Sequence, residues 1–370
     1  MDLQEMRKSI DTIDEEILGL FVKRMAVSRD IAQFKKENKM PILQSNREEE
    51  VIRRIRSLSP DDLAEGASVL FMNIMDIGKS VQQQAVATPF PLDPLPFLPE
   101  KACRVGCQGV TGSYQEQACK KLFGDKPLTF YPSFNGVFKA VDNGELDYGI
   151  LPIINSTAGS VTETYDLMRK YEFYITARVQ VEISHCLAVR PGVAFEKITH
   201  VLSHEQALSQ CSDFLRDSKL PKTACLNTAL AAQEVRDSGA PIAAICSEEC
   251  ARLYGLHVLR SNIANVWPNY TKFICISKKL QIPENPGTIS VSLSIPNVKG
   301  SLYRLLTKFF VNNLDLEHIE SKPIANGSFD ALFYLDFSGD VRQKNVSSLL
   351  GELKNELPTF KFLGNYGDIL

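Results

Sequence analysis

From Leu3 to Phe34 the apolar residues recur as Leu3, Met6, Ile10, Ile13, Ile17, Leu20, Phe21, Val27, Ile31 and Phe34. This is a helical stripe held for about nine turns. Asp2 and Glu5 supply a capping box at its start, and Asn38 with Pro41 marks its end. About 36 residues at 1.5 Å each make a rod of roughly 54 Å, too long for a small monomeric domain. A second helix opens at Ser45-Asn46-Arg47-Glu48, another capping box, and runs to about Ser57. A third starts at Ser59-Pro60-Asp61-Asp62 and carries Leu70, Phe71, Ile74, Met75, Ile77 and Val81. Helices of such unequal length cannot cover each other's apolar faces. The pattern therefore predicts an intertwined dimer in which the first helix packs on its twin.

The texture then changes. Residues 85–100 carry five prolines and read as a semi-rigid extended linker, laid on a surface through Phe90, Leu95, Phe97 and Leu98. Beyond it, short apolar strands alternate with helices, an α/β pattern. The strands are expected at Arg104–Cys107, Leu128–Tyr131, Tyr148–Ile153, Val179–Val189, His200–Ser203, Thr223–Leu226, Ile242–Cys246 and Lys272–Ser277. The stretch from Phe173 to Val189 reads as a crossing between two lobes with a ligand cleft. After Pro283-Glu284-Asn285-Pro286-Gly287 the pattern is strand 288–295, helix 300–312, strands 314–322 and 330–337, helix 341–355 and strand 359–364. That βαββαβ order is the ferredoxin-like plait. The expected segments are an all-helical unit over 1–84, the linker over 85–100, a two-lobed α/β unit over 101–280 and the plait over 286–370.

Composition adds exclusions. A net charge of −3 gives no reason to expect nucleic acid or an anionic membrane as partner. The opening Met1-Asp2-Leu3-Gln4 lacks the basic and apolar regions of a leader, and no apolar run is long enough to span a bilayer. Nine cysteines, several inside strand-like apolar runs, read as reduced thiols in a cytoplasmic protein. Cys103/Cys107 and Cys246/Cys250 lack zinc-knuckle spacing, so no metal is expected. Gly106, Gly109 and Gly112 do not form G-x-G-x-x-G, and no cofactor is expected.

The candidate chemistry begins with charges inside the first apolar stripe. Arg24 lies in it, and Lys35 follows eleven residues on, on the same face. Two cations facing an interior need an anion, unless both snorkel to solvent. Arg7, seventeen residues before Arg24, points elsewhere and could join the site only from a partner chain. Glu48 and Arg47 lie in the first turn of the second helix and Gln82 near the end of the third. In order and spacing, Arg7, Arg24, Lys35, Arg47, Glu48 and Gln82 resemble the all-helical chorismate mutases. The resemblance implies that Arg24 and the partner's Arg7 grip two carboxylates. It gives Lys35 and Gln82 the breaking ether oxygen and Glu48 the ring hydroxyl, while chorismate rearranges to prephenate. Gln44 stands where an acidic residue is common, and Gly78 where a serine is common.

Four strand-to-helix junctions in the middle region carry small polar residues: Gly109 to Ser113, Asn155 to Ser160, Ser203 to Gln206, and Asn227-Thr228. Each offers backbone N–H groups and hydroxyls, as an anion site or as ordinary capping. These junctions, with Asn269-Tyr270-Thr271-Lys272-Phe273, resemble prephenate dehydratase over about residues 103–277. The family reaction expels the ring hydroxyl and carbon dioxide together, leaving phenylpyruvate. The resemblance makes Thr271 the key group at the departing hydroxyl, with a hydrogen-bonding role, and gives substrate positioning to Asn155, Ser156, Ser203 and Gln210. It adds Thr111, Ser113, Thr157, Gln206, Thr228, Lys272 and Phe273 as substrate-binding residues. Ile154 replaces the family's glutamate, Lys272 its arginine and Glu205 its proline, which leaves open a mutase fused to a non-catalytic sensor.

In the plait, Asn297-Val298-Lys299-Gly300-Ser301-Leu302 and Glu320-Ser321-Lys322-Pro323 resemble the motifs of ACT regulatory domains. The resemblance implies phenylalanine binding at a dimer interface by Asn297, Val298, Gly300, Ser301, Leu302, Glu320, Ser321, Lys322 and Pro323, and feedback inhibition. Expected partners are chorismate, prephenate, L-phenylalanine and a second copy of the chain as a homodimer, with a tetramer left open.

Overall fold

The computed structural model describes residues 2–40, 45–86, 89–324 and 331–369. The chain divides into two compact units, and neither is contiguous. One comprises residues 1–92 and 288–362, the other residues 93–287 and 363–370.

The first unit opens with three helices, α1 (Leu3–Glu37), α2 (Ser45–Leu58) and α3 (Ala64–Val86). The Asp2 carboxylate accepts from the Glu5 N–H at 2.8 Å while the Asp2 N–H donates to Glu5 Oε2 at 3.0 Å, so the capping box forms. The capping box expected at residues 45–48 involves side chains outside the described residues, as does Gln44. The third helix begins at Ala64, after a turn at residues 61–63, later than the Pro60 signal suggested.

The C-terminal half of α1 packs on α3, burying Met25, Ser28, Ala32 and Lys35. Gly78 makes close approach possible, since a Cβ there would lie 3.3 Å from Ser28 Oγ and 3.4 Å from Arg24 Nη1. The N-terminal half is different: Leu3, Met6, Ile10, Ile13, Ile17 and Leu20 remain 48% to 66% exposed. No described residue of the single chain covers that stripe.

The same unit holds the βαββαβ run: strand Thr288–Ser294, helix Ser301–Val311, strands Leu316–Pro323 and Ala331–Ser338, helix Lys344–Glu356, and strand Thr359–Ile369. Residues 359–362 of the last strand belong here. In space the strands run second, third, first, fourth, as a ferredoxin-like plait requires. Ile289, Val291, Leu293, Leu335 and Phe337 fill its core with Phe309, Val346, Leu349 and Leu353 from the helices. Both plait helices pack on α3. A buried Lys308–Glu352 pair, with Glu356 at 2.8 Å, joins the two helices to each other.

The second unit is two-lobed. Its first sheet has Tyr174–Glu182, Tyr270–Ser277, Tyr148–Asn155, Val105–Gln108 and Leu128–Tyr131 side by side, with residues 367–369 of the C-terminal strand parallel to Tyr174–Glu182. Its second sheet orders His257–Arg260, Cys186–Val189, Ala243–Cys246, Val201–His204 and Lys222–Cys225. The strand expected over Val179–Val189 is two strands. Ile183 donates to the Asn269 carbonyl at 2.8 Å and Ser184 Oγ to Asn262 at 2.7 Å, so the chain leaves one sheet before entering the other. The strand-like alternation of Val179, Val181 and Ile183 leads into the apolar Cys186–Val189, with no glycine or proline to mark the break. Strand His257–Arg260 was not anticipated, because an edge strand with exposed ends needs no apolar alternation.

The proline-rich stretch is laid down along its length. Phe90 sits 6.1 Å from the Phe360 and Phe362 rings in the first unit. In the second, Leu95–Pro96 pairs with Gln281–Ile282 and Phe97 packs edge-on against Tyr148. Its first residues are helical, since α3 continues to Val86. Among the described residues no helix is long and apolar enough to cross a membrane, and no cluster of side chains could hold a metal ion.

Candidate active sites

The first site lies between α1, α2 and α3. Arg24 Nη1 donates to the Ile74 carbonyl of α3 at 3.2 Å. Lys35 is 9% exposed, and both cations have their pKa lowered by burial. Such groups gain from a dianionic neighbour. Gln82 stands one turn beyond Gly78, and its Oε1 is buried with no hydrogen-bond partner among the described residues. Glu48, expected at the same site, is held at Oε1 by Lys79 (3.1 Å) and at Oε2 by Arg304 (3.0 Å).

The single chain does not bring every expected residue here. Arg7 is exposed on the free half of α1, about 25 Å from Arg24 along the helix axis. Arg47 is also exposed and bonds Glu50 at 2.7 Å, because neighbours on a helix face different directions. Conversely, Asp76 and Lys79 were missed, because they lie off the apolar stripe of α3, on the face that carries Asn73 and Ser80. Asp76 is 3% exposed. Burial opposes its ionisation, but hydrogen bonds from Arg304 and the charge of Lys79 outweigh it and hold its pKa below the ordinary value.

The second site is a cleft of 470 Å³ between the lobes of the second unit. Asn155 and Thr271 sit opposite each other in adjacent antiparallel strands. Asn155 Nδ2 donates to Thr271 Oγ1 at 2.9 Å and to Asn269 Oδ1 at 2.8 Å. Its Oδ1 accepts from the Thr157 hydroxyl and from the Thr157 and Ala158 N–H groups, at 2.8 to 3.1 Å. The Thr271 hydroxyl thus accepts from Asn155 and keeps its own proton to donate.

The other lobe supplies Gln210, whose Nε2 donates to Thr157 Oγ1 at 3.1 Å and whose Oε1 meets His185 Nε2 at 3.0 Å. Burial lowers the pKa of His185, against the smaller opposing effect of the Gln210 bond, and favours a neutral ring. His185 was not anticipated from sequence; it lies where the chain crosses between lobes. Helix N-termini open on the cleft, among them those at Ser133-Phe134 and Asn227-Thr228. Their N–H groups stand in for cations, since no lysine or arginine lines the described wall. Glu163 is the carboxylate on that wall.

Gln206, Thr228 and Phe273 line the cleft as expected from sequence. Ser203 does not: it is fully buried and its hydroxyl donates to the Ile245 carbonyl at 2.6 Å. Ser156 binds the Tyr270 N–H at 2.9 Å and so fixes the Asn269–Thr271 segment. Ser113 caps helix Tyr114–Phe123, and Thr111 is exposed away from the wall. Lys272 and Ile154 lie opposite each other in register and neither lines the cleft. Strand alternation directs them away from the face that Thr271 and Phe273 present.

In the plait, Asn297, Val298, Gly300, Ser301 and Leu302 line a pocket of 360 Å³ at the N-terminus of helix Ser301–Val311. Gly300 has φ +86°, and open space surrounds the position a Cβ would take. The backbone conformation, rather than crowding, demands glycine. Glu320, Ser321, Lys322 and Pro323 lie on strand Leu316–Pro323, off this pocket wall, with Lys322 and Glu320 paired at 2.8 Å.

An all-helical cation site followed by a two-lobed α/β cleft defines a two-site enzyme. Residues 6–83 match the model of type II chorismate mutases and residues 105–281 that of prephenate dehydratases. A bifunctional chorismate mutase/prephenate dehydratase of Pseudomonas aeruginosa is 30% identical over 98% of this chain and 97% of its own length. An arogenate dehydratase/prephenate dehydratase of Arabidopsis thaliana is 34% identical over 71% of each chain. A prephenate dehydratase from Arthrobacter aurescens, solved with L-Phe, superposes with TM-score 0.66 at 27% identity, covering 71% of this chain and 90% of that one. The chain belongs to the family of bifunctional chorismate mutase/prephenate dehydratases.

Burial of Lys35 leads to a direct expectation. In the ligand-free protein its ammonium should titrate below the ordinary 10.5. An NMR titration of the lysine ε-carbons, assigned by Lys35→Arg, reads this; a midpoint at or above 10.5 contradicts the cation site described.

Proposed function

We propose that the helical site rearranges chorismate to prephenate and that the cleft converts prephenate to phenylpyruvate with loss of water and carbon dioxide. For the first reaction, Arg24 and the partner's Arg7 hold the two carboxylates. Lys35 and Gln82 face the ether oxygen as its bond breaks, and Glu48 accepts from the ring hydroxyl. The reaction is pericyclic, so orientation and charge complementarity do the work, with no covalent intermediate. The uncovered Leu3–Leu20 stripe supports a dimer in which α1 meets its twin and brings Arg7 across.

For the second reaction the observation that carries the reading is the Thr271 hydroxyl, polarised by Asn155 and aimed into the cleft. It donates to the ring hydroxyl as that group leaves. The helix N-termini at Phe134 and Thr228 hold the carboxylates without a fixed cation, and a carboxylate so held remains free to depart as carbon dioxide. Asn155, Thr157 and Gln210 position the substrate. Ile154 and Lys272 support activity rather than loss of it. They replace the family's glutamate and arginine together, as one cross-strand pair off the cleft. Glu205, in the first turn of its helix, suits the helix dipole.

Supplied with prephenate, the full chain should form phenylpyruvate, read by its absorbance in alkali. Thr271→Ala should lower kcat by about two to three orders of magnitude, the usual range for a lost preorganised donor. Binding of prephenate without turnover by the native chain would favour the sensor reading instead.

The plait acts as an ACT domain: the α-carboxylate of phenylalanine meets the helix N-terminus at Ser301, beside Gly300, and inhibits the enzyme. Calorimetry should detect phenylalanine binding, and Gly300→Val should abolish it because valine resists the φ the turn requires. Unchanged affinity in that variant would overturn this assignment.

A further inference from the structure

The mutase cluster contains one charge from the far end of the chain. Arg304 lies in the first plait helix, one turn past its N-terminus. Its Nε donates to Asp76 Oδ2 at 3.2 Å and its Nη2 to Asp76 Oδ1 at 2.9 Å. The same Nη2 also donates to Glu48 Oε2 at 3.0 Å. Asp76, 3% exposed on α3, thereby fixes the guanidinium, and the guanidinium fixes Glu48. Lys79 completes the square, 2.8 Å from Asp76 and 3.1 Å from Glu48. Further bonds hold the helix to α3: Asn73 with Tyr303 at 2.9 Å, Gln84 with Asn312 at 3.1 Å and Asn312 with Ser80 at 3.5 Å.

Glu48 stands in the first turn of α2, and α2 follows directly after α1 through a short connection. Its carboxylate needs a fixed rotamer to receive a hydroxyl, and each of its oxygens has one cationic neighbour. Lys79 is a point charge on a flexible stem, whereas Arg304 is a planar fork already clamped by Asp76. The rigid member of the pair comes from the plait.

We propose that Arg304 is a positioning residue of the mutase: it sets the Glu48 carboxylate to receive the ring hydroxyl of chorismate, so the helical site is complete only with the C-terminal plait in place. This rests on the reading of Glu48 as a substrate-binding group. Arg304 touches no reacting atom and acts through Glu48. Because the hydroxyl is held in ground and transition states alike, its loss falls mainly on KM.

The test is a double-mutant cycle on the full chain with chorismate as substrate. Arg304→Ala and Glu48→Gln should each lower kcat/KM by roughly ten- to a hundredfold, mostly through KM. The double variant should be no worse than the poorer single, because both remove one interaction. Arg304→Lys should recover part of the loss, and it carries the comparison if the alanine variant does not fold. Losses that multiply in the double variant would mark Arg304 as structural only and overturn the proposal. So would near-native kcat/KM in Arg304→Ala while Glu48→Gln is impaired, or, where the alanine variant does not fold, a loss in Arg304→Lys that multiplies with that of Glu48→Gln. Near-native activity in Glu48→Gln would instead remove the assignment of Glu48, and the proposal with it.

Discussion

The first unit depends on a buried carboxylate. Asp76 is 3% exposed in the middle of α3, where an unpaired charge would be strongly destabilising. Lys79 from its own helix and Arg304 from the plait resolve that cost together. Arg304 bridges both oxygens as a planar fork, and Lys79 adds a second cation at Oδ1. Three consequences follow from the one group: α3 is tied to the plait, the guanidinium of Arg304 is oriented, and Glu48 gains a fixed neighbour. The helices and the plait, separated by nearly two hundred residues of sequence, form one compact unit around this network.

The two sites use opposite electrostatic means. The helical site concentrates formal charge: Arg24 and Lys35 are held where burial depresses their pKa, so a dianion gains strongly by arriving. The cleft has no lysine or arginine on its described wall and relies on amides, hydroxyls, a neutral imidazole and helix N-termini. The difference fits the chemistry. A rearrangement keeps both carboxylates and needs them clamped, whereas a decarboxylation must let one go. A formal salt bridge to the departing carboxylate would stabilise the ground state and slow the step.

The long stripe of α1, its cap and the two cations inside it were legible in the sequence because periodicity and charge are local properties. The plait was legible for the same reason, through its alternation of strand and helix. Asp76 and Lys79 lie off the apolar stripe of α3 and so read as an ordinary surface pair. Arg304 carried no signal at all, since its partners lie 228 and 256 residues away. In the cleft, Asn155 and Thr271 were legible only through resemblance to a known family. Nothing local reveals that Asn155 polarises Thr271 across two strands. The roles of Ser203 and Lys272 were misjudged from position in a motif: one hydroxyl is spent on a backbone carbonyl, and strand alternation turns the other side chain away.

The central claim is that one chain carries two consecutive reactions at two physically different sites. The most direct measurement supplies chorismate to the full chain and to Thr271→Ala, and follows chorismate, prephenate and phenylpyruvate together by NMR. The native chain should end at phenylpyruvate. The variant should consume chorismate at a native rate and accumulate prephenate in stoichiometric amount. A native chain that stops at prephenate, or a variant that fails to consume chorismate, would contradict it.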